Sequence, residues 1–190
     1  TGPVTRLTFD GRAIRPVWSR NGLYLWYGSR DSTGLNLYRR RADGTGSPEL
    51  VLDLTDGVEE VVETPDTAVM IVRVSGGGGT GTAGRRIFLF RPAAGNGDSA
   101  LSPLLVSPDY NQMAPALSPD GRWVAFVPYD APRTVSLVSV ETGQVSAFTS
   151  NTGGIGGFSP DGTKLLLGQL EADANGLQRT VWTAFAVPGG

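Results

Sequence analysis

The chain has 190 residues, 39% hydrophobic and 18% charged, which is long enough for a sizeable core and too apolar for a disordered segment. Its net charge of −2 gives no global field to recruit DNA or RNA, so no nucleic-acid partner is expected. Cysteine and histidine are absent, which excludes disulfides, thiolate metal sites, and the commonest metal ligand and general base.

No apolar run approaches the roughly 20 residues that a membrane-spanning helix needs. The chain starts at Thr1 rather than methionine, as expected of a mature or trimmed product. With 27 glycines and 13 prolines, it is rich in turns and reads as all-β.

Taken in chain order, VTRLTFD (4–10) reads as an isolated strand. PVWSRNGLYLWYGS (16–29) is a short apolar strand, a four-residue turn and a longer apolar strand. LNLYRRR (35–41) and ELVLDL (49–54) supply a third and a fourth strand. The layout returns in VVETPDTAVMIVRV (61–74), followed by RIFLFRP (86–92) and LLVS (104–107). It returns again in PALSPDGRWVAFVPY (115–129), with VSLVSVE (135–141) and VSAFT (145–149). GGFSPDGTKLLLGQL (156–170) and TVWTAFAV (180–187) make a last unit that lacks a fourth strand.

The turn anchors Asn21, Asp66, Asp120 and Asp161 are 45, 54 and 41 residues apart. A repeat of that period, built from four strands per unit, is the sequence pattern of a β-propeller. Runs such as LYLWY, VMIV and LLL lack strict alternation, as strands buried on both faces do. The expected fold is an all-β, propeller-like array of four four-stranded antiparallel blades, covering 1–190 as one domain. Its units fall near 11–54, 55–107, 108–149 and 150–190, with strand 4–10 completing the last blade.

The tetrads Ser118-Pro119-Asp120-Gly121 and Ser159-Pro160-Asp161-Gly162 are read as structural turns. Proline presets φ, the carboxylate bonds nearby backbone, and glycine tolerates the left-handed exit. Ser19 holds the equivalent place in the first unit.

No cluster declares a chemistry. The loop SGGGGTGTAG (75–84) lacks the lysine and following helix of a phosphate loop and reads as a hairpin loop. Glu59, Glu60 and Glu63 read as a solvated face. Asp10, Asp31, Asp43 and Asp130 sit in turn-like settings that need no metal. There is no G-x-S-x-G elbow, and without histidine there is no Ser-His-Asp triad, so no catalytic, cofactor or metal residue is assigned. Arg39, Arg40, Arg41, Arg85 and Arg86, with Trp26 and Tyr27, are the residues suited to a protein partner. Trp18, Trp26, Trp123 and Trp182 are otherwise expected to pack between blades.

The tetrads and their flanks resemble the TolB-type, PD40/WD40-like β-propeller repeat. The resemblance rests on Ala116 to Phe126, Gly157 to Leu165, Thr5 to Phe9 and Pro16 to Ser19, and it runs over essentially the whole chain. The family's propellers commonly have six or more blades, against four units here. It includes TolB, a periplasmic protein that docks on envelope membrane proteins, and propeller domains of prolyl-oligopeptidase-like peptidases. The resemblance implies a non-catalytic, periplasmic or extracytoplasmic scaffold that binds other protein subunits, as an extrinsic accessory subunit on a membrane protein complex. The alternatives it carries are a peptidase's propeller domain and a small-ligand or carbohydrate sensor.

Overall fold

Each Ser-Pro-Asp-Gly tetrad closes its hairpin with its own side chains. Ser118 Oγ donates to Asp120 Oδ1 at 2.6 Å and accepts from the Trp123 amide at 2.9 Å. Backbone bonds complete the loop: Gly121 N donates to Ser118 O, and Ser118 N to Trp123 O, both at 2.9 Å. Gly121 has φ +77°, the left-handed region that a side chain would strain. The same bonds recur at Ser159, Asp161 and Lys164, and at Ser19, Asn21 and Tyr24.

The computed structural model describes residues 4–32, 34–54, 57–65, 69–74, 85–92, 101–104, 112–128, 131 and 133–187. The glycine-rich loop 75–84, Asp66, Asp130 and residues 105–107 lie outside them. Among the described residues there is no α-helix. The chain divides into two compact units, Thr1–Pro103 and Leu104–Gly190.

The first unit holds two sheets. One is β1 (Ala13–Trp18), β2 (Tyr24–Arg30), β3 (Leu35–Arg41) and β4 (Glu49–Leu52). The other is β5 (Val58–Glu63), β6 (Val69–Val74), β7 (Arg85–Phe90) and β8 (Leu101–Pro103). Both are antiparallel meanders in chain order, the arrangement of a propeller blade. Leu25 to Ser29 of β2 are all buried, so this strand is covered on both faces. Trp26, Leu37 and Leu52 of the first blade pack with Val58, Val61, Val69 and Phe90 of the second. Two side chains reinforce this seam. Glu60 takes an ion pair from Arg15, and Glu63 Oε2 accepts from the Arg20 amide at 2.5 Å. Arg15 stands at the bulge of β1 with φ +47°, uncommon for a residue with a side chain.

The second unit carries β9 (Gln112–Leu117), β10 (Trp123–Pro128), β11 (Thr134–Ser139) and β12 (Val145–Ser150). Its last sheet is β13 (Thr152–Phe158), β14 (Lys164–Ala172) and β15 (Gln178–Ala186). The core joins Ala125, Val135 and Leu137 to Leu165, Leu167 and Val187, with Phe148 and Phe185 edge to face at 6.0 Å. Leu165 and Leu167 are fully buried, and each contributes about 1.5–3 kcal/mol of transfer free energy.

Three details differ from the sequence reading. Residues 4–10 form no strand. They run along the first blade, where Thr5 and Leu7 lie near Gly44, Phe9 lies under the Arg40 guanidinium and Asp10 accepts from Ser29. The last sheet has three strands among the described residues. Among the described residues the fourth strand of the second blade is Leu101–Pro103, with Phe88, Leu89 and Phe90 as partners, and of the expected 104–107 only Leu104 is described, just beyond that strand.

Candidate functional site

The residues singled out for a partner separate into a buried and an exposed set. Trp26 and Tyr27 are 4% and 3% exposed and belong to the interior of the first blade, since β2 is covered on both faces. Tyr27 stacks on Tyr38 at 6.0 Å, and burial raises its phenol pKa. These two therefore cannot present surface to a partner. Arg39 lies over Tyr24 and Trp26, at 5.0 and 6.0 Å from the ring centroids, and pairs with Glu49 at 2.7 Å. Arg40 is half-buried, lies 5.7 Å from the Phe9 ring and donates to Gly44 O at 3.0 Å. Arg41 pairs with Asp43 at 3.0 Å, which raises its own pKa and holds Asp43 well below the carboxylate range. Arg86 is exposed on β7, and Arg85 precedes it at the start of that strand. The arginine run is thus already paired within its own blade, while Arg86 stands apart from it in chain position.

Surface aromatics lie where the sequence did not place them. Trp18 ends β1 at 59% exposed, and Trp182 lies mid-strand in β15 at 56%. Trp182 is seated over two glycines. A Cβ on Gly156 would meet its ring at 2.9 Å and Leu166 at 3.0 Å, and one on Gly168 would meet Thr180 at 2.8 Å. Those glycines make room for the indole on the face of the sheet. Leu166, on the same strand position set as Gly168, is 40% exposed beside it. The signal legible in sequence was the glycine pair. It acquires meaning only once register sets Gly168 opposite Trp182.

A polar network occupies the end of the first blade. Asp31 Oδ2 accepts from Tyr38 OH at 2.8 Å and from Asn36 Nδ2 at 3.0 Å, and Oδ1 accepts from the Gly34 amide at 3.2 Å. Asn36 is fully buried, and its Oδ1 accepts from the Leu54 amide at 2.8 Å. The bond to Asp31 pushes the Tyr38 phenol up to about 12, because ionisation would set two anions face to face. Asp10 is held low, chiefly by the Arg12 amide, with Ser29 and the Arg12 charge assisting. Beside this network lies a cleft of about 650 Å³, lined by Arg12, Ile14, Arg30, Asp31, Ser32 and Leu35. Among the described residues no group of three or more carboxylates is placed to hold a metal ion. Glu60 and Glu63, read from sequence as a solvated face, instead bind the first blade to the second.

No protein-family model and no curated protein sequence matches the chain. Solved structures do match it. TolB from Acinetobacter baumannii superposes with a TM-score of 0.68 at 19% identity, over 94% of this chain and 41% of that one. The tricorn protease superposes with a TM-score of 0.69 at 13% identity, over 94% of this chain and 16% of that one. A gluconolactonase from Xanthomonas campestris gives a TM-score of 0.60 at 13% identity, over 93% and 63%. The chain therefore has a TolB-like β-propeller repeat fold, a fold that non-enzymatic and enzymatic proteins share. It spans less than two thirds of the length of each of these structures.

Proposed function

We propose that the chain is a non-catalytic protein–protein interaction scaffold, an extrinsic accessory subunit that docks on a membrane-associated complex in the bacterial envelope. The observation that carries this reading is Trp182: a large apolar ring, 56% exposed, held in place by strand backbone and two glycines. Tryptophan is among the residues most enriched at the energetic centre of protein interfaces. A ring fixed on a sheet loses little conformational freedom on binding, so more of its burial appears as affinity. Trp18, at the end of β1, offers a second such ring in the first unit. The likeness to TolB supports the periplasmic setting, and no helix among the described residues is long and apolar enough to cross a membrane.

Mild-detergent extraction of native membranes, size separation and mass spectrometry test the proposal. The chain is expected in a large membrane complex, and Trp182→Ala is expected to shift it toward free protein. Migration of the unaltered chain at 20.0 kDa would overturn the reading.

The superposition on the tricorn protease favours a second reading, the propeller part of a peptidase. A peptidase catalytic segment in the same open reading frame would decide for it.

A further inference from the structure

Two guanidinium groups at the end of the first blade, Arg12 and Arg30, form no direct ion pair among the described residues, although the Arg12 charge lies close enough to Asp10 to help hold it low. Ala13 of β1 pairs with Ser29 of β2, so one step outward Arg12 and Arg30 occupy facing chain positions. Like charges placed opposite each other on neighbouring strands are destabilising unless something neutralises them. Among the described residues neither side chain has a hydrogen bond or an ion pair, whereas Arg15, Arg39, Arg41, Arg122 and Arg179 each hold a carboxylate. Asp31, the carboxylate in the cleft lining, is already engaged by Tyr38, Asn36 and the Gly34 amide.

We infer that the cleft between Arg12 and Arg30 binds a small carboxylate-bearing ligand with a branched apolar body. Its volume, about 650 Å³, lies in the range of small-molecule sites. Guanidinium forks match a carboxylate through paired hydrogen bonds. Ile14 and Leu35 give the wall an apolar stretch beside that anchor. The lining holds two arginines against Asp31, and Asp10 beside Arg12 weakens the positive field further, which suits a monoanion better than a phosphate dianion. Leu35 opens β3 and Arg30 closes β2, so the hairpin that Asp31 ties together fixes both the charged and the apolar walls. The site does not depend on the scaffold reading and can stand or fall without it.

Isothermal titration with N-acetyl-leucine, N-acetyl-leucinamide and butyl phosphate tests the inference on the unaltered chain and on Arg12→Gln, Arg30→Gln and Arg30→Lys. Saturable binding of N-acetyl-leucine is expected, with no measurable binding of the neutral amide and weaker binding of the phosphate. Either glutamine variant should weaken the carboxylate about tenfold, the loss of one charge-assisted pair, and Arg30→Lys should recover only part of it. Arg179→Gln, outside the cleft and paired among the described residues only with Glu171, should bind as the unaltered chain does. Circular dichroism confirms that each variant is folded. No saturable binding of N-acetyl-leucine, equal binding of the amide, phosphate binding as tight as the carboxylate, or unchanged affinity in both glutamine variants would each overturn the inference.

Discussion

Ser118 is only 1% exposed, yet its hydroxyl makes two hydrogen bonds. Ser118→Ala leaves the half-buried Trp123 amide without that acceptor, so it should cost about 1–2 kcal/mol in urea unfolding. Asp120 and Asp161 are both held at about 2, first by the serine hydroxyl two residues earlier and then by backbone amides. A carboxylate whose folded pKa is depressed stabilises the fold above its unfolded value, and that contribution disappears as pH falls through the folded one. Stability should therefore decline between about pH 4 and pH 2, and Asp120→Asn should flatten part of that decline in acid titrations. Tyr38 works in the opposite direction: its contribution is present below the ordinary phenol range and is lost as pH rises through about 12. Asp31→Asn should move one late tyrosinate transition down toward 10 in an ultraviolet titration. The tetrads were legible in sequence because all their bonds are local. The Asp31 network was not, because Asn36 and Tyr38 reach Asp31 only after the hairpin has formed.

At the scale of elements, continuous apolar runs announced strands covered on both faces; LYLWY in β2 bears this out from Leu25 to Tyr27, whereas LLL in β14 alternates, with Leu166 40% exposed between buried Leu165 and Leu167. The same reasoning predicted all four tryptophans as packing residues. It misplaced Trp18 and Trp182, because composition cannot say which face of a strand a neighbouring sheet covers. Residues 4–10 have strand-like alternation but lie on the first blade outside any ladder, since a period-two pattern does not name a pairing partner. Glycines mark two tight approaches. A Cβ on Gly28 would come to 3.0 Å from the Val58 carbonyl and 3.2 Å from Ile14, and one on Gly57, at φ +89°, to 3.0 Å from Leu35. Gly57→Ala should destabilise by more than about 1 kcal/mol, combining left-handed strain with a crowded contact, and a shifted thermal midpoint would register it.

For the whole molecule, the turn spacing made a propeller-type array legible before any coordinate did. The seam within the first unit was not legible, because Arg15 and Glu60 are 45 residues apart in the chain. Protection should differ accordingly in hydrogen exchange. The amides of Leu37 and Leu52 in one unit, and of Leu165 and Leu167 in the other, belong to fully buried residues and should exchange last within their own units. The described residues of 4–10, outside any ladder, should exchange early.

The serine-centred turns also carry a consequence for how the chain reaches this state. Their bonds span at most five residues, whereas the Arg15–Glu60 pair must close a loop of 45. Short loops close at far lower entropic cost, so the hairpins should be present at the folding barrier and the seam should form after it. In stopped-flow kinetics Ser118→Ala should then mainly slow refolding, and Glu60→Gln should mainly speed unfolding. The opposite partition would mean that the blades meet before their own turns are set.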